Sequence, residues 1–322
     1  MLRIVRMAAL LVLAAMLTTA CAGTGAGEDA LLLQSSDQAN TAAEETAAES
    51  ESATRTLDDA APTEESVDLS QGIITTTADS LWLADLTWTE VAERIAAGHT
   101  SVIVPTGGTE QNGPHLALGK HNIVVEHTAA NIARRAGSTL IAPVLDYVPE
   151  GDPALMDNHL QWAGTISVPD AAFGAVLDAT ARSLKGHGFT TIVFLGDSGS
   201  SQAAQAATAS ALSAEWAAEG VVVANMSEYY GANGQTEWLI AQGETDATIG
   251  IHAGIRDTSE VLAIAPEFVR TGAAVASASP AGQLDPVGVD GDPSRASVAY
   301  GETLLQLKID IGTAELQRLQ SR

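Results

Sequence analysis

From about residue 82 onward, short apolar runs alternate with longer stretches of helical period, and this alternation limits the chain to few folds. "SVIVP" at 101–105, "TLIAPVLDYV" at 139–148, "TTIVFLG" at 190–196 and "GVVVANM" at 220–226 each have the length and β-branched content of a buried strand. Between them lie segments that read as helices. "TWTEVAERIAAG" opens on a Thr87–Glu90 capping box and stops at Gly98. "NIVVEHTAANIARRAG" is amphipathic and ends at Gly137, and "VPDAAFGAVLDATARSLKGHG" starts at Pro169–Asp170. An Ala-rich helix is expected from Gln202 to Glu219, and the tail contains a turn followed by one long helix. Strand, helix, strand, helix in short units implies an α/β fold, a mostly parallel sheet covered by helices on both faces. Sites in such sheets lie beyond the carboxyl ends of the strands.

Two polar loops follow strands directly. "TGGTEQNGPHLALGKHN" at 106–122 carries Glu110, Asn112, His115 and His121, and "GDSGSSQ" at 196–202 carries Asp197 and Ser198. A solvent loop needs only turn formers, so this density of polar groups marks a candidate site. A phosphate loop is set aside, because five residues separate Gly113 from Gly119 and His121 follows Lys120. An esterase-like reading makes Ser198 a nucleophile, but the block stands mid-domain, and the late His252 has Ile249 three residues before it where an acid is needed. A third reading is a metal centre, for which Glu110, His121 and Asp197 are proper ligand types.

The chain resembles the creatininase (creatinine amidohydrolase) family in four stretches that recur in the family's order: Glu110–Leu118, "HLQWAGTISVP" at 159–169, "LGDSGSSQ" at 195–202 and "HAGIRDTS" at 252–259. The resemblance implies a three-layer α/β/α hydrolase of non-peptide C–N bonds, such as those of cyclic amides, and a homo-oligomer. Members use two divalent ions, and here the pattern departs. His121 stands at the bridging aspartate, Asp197 at a ligand histidine, Asn112 at the second ion's histidine and Gly199 at its last carboxylate. Aspartate and histidine have exchanged places. The expectation is therefore one ion, zinc before manganese, held by Glu110, His121 and Asp197. The resemblance casts His252 as proton shuttle and Asp257 as its orienting partner. Asn112, His115, His159 and Ser198 are expected around the substrate pocket, with a small molecule as substrate. A binding lipoprotein that keeps the fold without catalysis is the alternative.

The first seventy residues belong to something else. Arg3 and Arg6 precede an apolar run from Met7 to Leu17, and small residues lead to Cys21, the single cysteine. Residues 1–20 read as a secretory signal, and "LTTAC" is similar to a lipoprotein box, which would make Cys21 a lipid anchor. Residues 22–70 hold twelve acidic residues against Arg55 alone, too little apolar material to offset the entropy of ordering. They are expected to act as a tether for a domain at 71–322 on the outer side of the cell membrane (on the periplasmic side of the outer membrane in a Gram-negative host). A net charge of −25 argues against nucleic acid or an anionic membrane surface as partner.

Overall fold

A computed structural model describes residues 79–322. The expected signal, Cys21, the whole tether and residues 71–78 of the expected domain lie outside the described residues. Nine α-helices and four strands are found among these residues, and none of the helices is long and apolar enough to cross a membrane. Helix α1 (Trp88–Ala96) begins on the expected capping box: the Thr87 hydroxyl accepts from Glu90 N–H while the Glu90 carboxylate accepts from Thr87 N–H. Strands β1 (Ser101–Thr106), β2 (Thr139–Ile141), β3 (Thr191–Gly196) and β4 (Val222–Asn225) form one parallel sheet in the order β2-β1-β3-β4.

Burial follows from strand alternation. Val102, Val104, Ile192 and Phe194 face one side, where they pack against α1, α3 (Asp170–Gly186) and α4 (Gln202–Trp216) through Val91, Ile95, Phe173, Leu177 and Leu212. Ile103, Val193 and Leu195 face the other, against α2 (Lys120–Ala136) and α9 (Val298–Gln320) through Val125, Ile132, Ile309 and Leu316. Both faces being covered, the strands can be apolar throughout. This is the three-layer α/β/α arrangement expected from the alternation.

Three boundaries differ from the expectation. β2 stops at Ile141, because Pro143 has no N–H for the ladder; only Leu145 returns to it, as an isolated bridge to Thr106. α4 ends at Trp216 and tightens into a 3-10 turn over Ala217–Glu219. α2 starts two residues early, so Lys120 and His121 form its first turn and are buried. The last point matters most, since it takes two polar side chains out of the loop and aims them from a helix terminus.

The register of β1 and β3 positions the site. Thr106 pairs with Gly196, and Asp197 N–H donates to Thr106 O, so the two polar loops leave the sheet side by side. Short helices α5 (Ser227–Gly231), α6 (Gln235–Ala241) and α7 (Asp246–Ile249) lead to α8 (Ile255–Ile264), which packs on α9 and closes the far side.

Candidate active site

Glu110, His121 and Asp197 come together, but as an acid–base chain. His121 Nε2 lies 2.6 Å from Glu110 Oε1, and Nδ1 lies 2.7 Å from Asp197 Oδ2. Both separations are hydrogen bonds. Two atoms bound to one tetrahedral ion at about 2 Å would stand roughly 3.3 Å apart, so no ion fits between these pairs. Burial and Lys120 push the imidazole toward neutrality, but the two carboxylates outweigh them and raise His121 to about 9. It is an imidazolium with both N–H groups donated. Burial works against ionisation of Glu110, yet His121 holds its carboxyl well below the usual range.

Two lysines complete the neutralisation. Lys308, from the interior of α9, donates to Asp197 Oδ1 at 2.5 Å and lies 3.4 Å from Glu260 Oε2; Tyr229 OH also donates to Asp197 Oδ1 at 3.1 Å. Burial opposes both charges, and the pair overrides it: Lys308 stays well above its ordinary value and Asp197 well below. Lys120 pairs with Asp257 at 2.9 Å, which holds that carboxyl at about 2 against the effect of burial. Three buried cations thus face three ionised carboxylates. Two further carboxyls are pushed upward by burial, Glu260 and, with Glu110 as a second cause, Glu150, which reaches about 8.

His252 and His159 also flank Glu110, His252 at the oxygen that His121 bonds and His159 at the other. His252 Nδ1 is 3.8 Å from Glu110 Oε1, and His159 Nε2 is 3.5 Å from Glu110 Oε2. These are the spacings of atoms that share an ion, and the three donors lie within 4.8 Å of one another. Burial lowers His159 and takes His252 to about 4, so both rings are neutral, the form that ligates. His252 Nε2 donates to Gln111 O at 2.8 Å, which leaves the Nδ1 lone pair toward Glu110. The Gln111 side chain accepts Gly113 N–H and turns its NH2 to His159 Nδ1 at 3.0 Å. In that arrangement the His159 proton sits on Nε2, and ligation through Nε2 requires the other tautomer, with the proton on Nδ1 and the Gln111 amide turned over.

The other expected residues are distributed as follows. Ser198 donates to Glu150 Oε1 at 2.7 Å, with no histidine beside it. Asn112 and His115 are fully buried and do not line the cavity, contrary to expectation. Asn112 turns back to Glu110 O, and His115 Nε2 bonds the Thr258 hydroxyl on α8, so both brace the loop from behind. Asp257 binds Lys120 and the N–H of Ala253, a non-glycine residue at φ 52° directly after His252. It therefore positions His252 through the backbone. Gly199 gives up its side chain to Tyr230: a Cβ there would stand 2.5 Å from the Tyr230 hydroxyl.

Sequence reading missed Lys308, Glu260 and Glu150. Lys308 had a signal, since it falls on the α9 stripe of Leu304, Leu305, Ile309 and Leu316, where a charge has no solvent. Glu150, in an irregular loop, had none. Lys308 lines a cavity of about 530 Å³ together with Glu110, His121, His159, His252 and Asp257, whereas Glu150 and Glu260 lie behind that lining.

The sequence matches the family described as creatinine amidohydrolase over residues 84–314. It is 27% identical over 237 residues to a Mycolicibacterium smegmatis protein named mycofactocin precursor peptide peptidase, covering 68% of this chain and 85% of that one. A creatinine amidohydrolase of Pseudomonas putida is 28% identical over 117 residues, 36% of this chain and 44% of that one. Among solved structures, a creatininase with manganese superposes with a TM-score of 0.63 at 21% identity, covering 74% of this chain and 98% of that one. A mutant creatininase of zinc–zinc type gives 0.61 at the same identity and the same shares. Those structures carry the fold.

Proposed function

The chain belongs to the creatininase family, and on that footing we propose that it is a hydrolase of an amide C–N bond that works with one divalent ion held by Glu110, His159 and His252. The carrying observation is the contrast around Glu110. The contacts with His121 have hydrogen-bond lengths, whereas those with the two neutral imidazoles have ligand-to-ligand lengths. Zinc suits one carboxylate and two imidazoles, and manganese is the alternative. When bound, such an ion supplies Lewis acidity to a carbonyl and to water.

The chain's own groups do the rest. Gln111 spans both imidazoles and holds the His252 tautomer. His121 holds Glu110 Oε1 and, with Lys120, presents positive charge to the cavity. Amide cleavage requires a proton at the leaving nitrogen, and these two are protonated groups in the cavity lining. In this reading His252, neutral and turned to Glu110, serves as a ligand in place of the shuttle role that the resemblance implied. The relatives' names include both a peptide peptidase and a creatinine amidohydrolase, so the scissile bond is assigned as an amide, with a small or peptide-like substrate.

Metal analysis of the purified protein tests this. One ion per chain is expected, lost in His159→Ala and in His252→Ala with the circular dichroism spectrum unchanged. Retention in both variants would sink the assignment. A second reading, ligand capture without turnover, has one observation in its favour: the carboxylates are already neutralised by Lys120, His121 and Lys308. An ion-free protein that still binds small amides would select it.

A further inference from the structure

We infer that Arg256 binds a carboxylate of the substrate, so that the molecule cleaved is an amide that also carries a free carboxylate. The inference builds on the hydrolase reading above and narrows it to a substrate class.

Arg256 is the second residue of α8 and lines the same cavity as Glu110, His159 and His252. The cavity's two lysines are committed, Lys120 to Asp257 and Lys308 to Asp197 and Glu260. Arg256 differs. One amino group donates to Thr236 Oγ1 on α6 at 2.9 Å, and its Nε is buried without a hydrogen-bond partner. The adjacent carboxylate, Asp257, is turned away to Lys120 and Ala253 N–H. In a chain of net charge −25, a half-buried guanidinium with no acidic partner among the described residues is out of keeping with the rest of the molecule. The Nε is closed off, so a ligand in the cavity would meet the terminal amino groups, one of which is steadied by Thr236. The guanidinium fork matches a carboxylate through two parallel hydrogen bonds, and Thr236 holds it in place for that approach. A cavity of about 530 Å³ has the size of a small-molecule site. In the reaction, water adds across the amide to give an acid and an amine, while the carboxylate on Arg256 takes no part.

Calorimetry on the full-length protein tests this with two matched pairs, N-acetylglycine and N-acetyltriglycine, each against its neutral primary amide. At one length at least, the carboxylate should bind roughly tenfold more tightly than the amide. Arg256→Gln should bring that pair to within about twofold, and Arg256→Lys should keep part of the preference. The length that discriminates tells whether the site takes a short acylated amino acid or a peptide end. Equal binding of both pairs by the wild type overturns the proposal. So does a preference that survives Arg256→Gln; if chelation then abolishes it, the carboxylate sits on the ion, and the hydrolase reading stands alone. Metal content measured on the same samples separates the two ideas. An ion-free protein that still prefers carboxylates through Arg256 loses the hydrolase reading and keeps this one.

Discussion

Lys308→Met removes the ammonium from the most deeply neutralised part of the site. Methionine keeps the unbranched apolar stem, so the packing of α9 against α2 and α8 changes little. What changes is charge. Asp197 loses a 2.5 Å partner and Glu260 one at 3.4 Å, both inside the protein. At an effective dielectric of about 20, attractions at these separations are about 7 and 5 kcal/mol, set against several kcal/mol of desolvation for the ammonium. Breaking one side of a buried ion pair costs about 3–5 kcal/mol. For a domain of this size, each kcal/mol moves the melting temperature by about 2–4 °C, so a fall of roughly 6–20 °C is expected.

The pH dependence carries the test further. Without Lys308, the folded-state pKa of Glu260, already raised by burial, rises further. A group whose folded pKa is raised stabilises below its unfolded pKa and loses that contribution as pH rises through the folded value. The deficit of Lys308→Met should therefore widen between pH 5 and pH 8. Thermal melts of wild type, Lys308→Met, Lys308→Arg and the Lys308→Met/Asp197→Asn pair would measure it. The arginine variant keeps the cation, and the double variant removes the carboxylate left behind, so each should recover part of the loss even if the single variant folds poorly. A deficit below about 1 kcal/mol that does not vary with pH would refute the reasoning, since surface pairs give that much.

Three further outcomes are expected. Asp257, held at about 2 by Lys120, contributes about 2 kcal/mol that is present above its unfolded pKa near 4 and lost as pH falls toward 2; the stability gap between wild type and Asp257→Asn should accordingly shrink between pH 6 and pH 2.5 in chemical denaturation. Ser198→Ala removes one hydrogen bond to a carboxyl raised to about 8, a loss of about 1 kcal/mol, and a serine-directed phosphonate should leave no adduct on Ser198 in the mass spectrum; stoichiometric labelling would restore the esterase-like reading. Cys21→Ser should shift the protein from the membrane fraction to the soluble fraction, whereas unchanged partitioning would mean that another element anchors it.

The fold was legible wherever local preference and burial agree. β1 and β3 are apolar at every position because both faces of the sheet are covered, and the Thr87 capping box formed as its spacing implied. Boundaries slipped where a single residue intervened: Pro143 ends β2, and Gly119, which offers no capping side chain, hides the start of α2. The site was legible as a place rather than as a wiring diagram. Glu110, His121, Asp197, His159, His252 and Ser198 line one cavity, as strand-end loops in register require. Their pairing was not readable, because it depends on Lys308, which is 111 residues from Asp197 in the chain and reaches it from α9. A carboxylate and an imidazole are the same two residue types whether they share an ion or a proton. Separation is what divides the cases. At 2.6 Å, His121 and Glu110 leave space for a proton alone, while at 3.5 and 3.8 Å, His159 and His252 stand far enough from Glu110 for an ion between them. The exchange of aspartate and histidine between positions 121 and 197 keeps the inventory of ligand types while placing an imidazolium between two carboxylates. An inventory taken from sequence therefore points to the cavity, and the separations inside it assign the pairs.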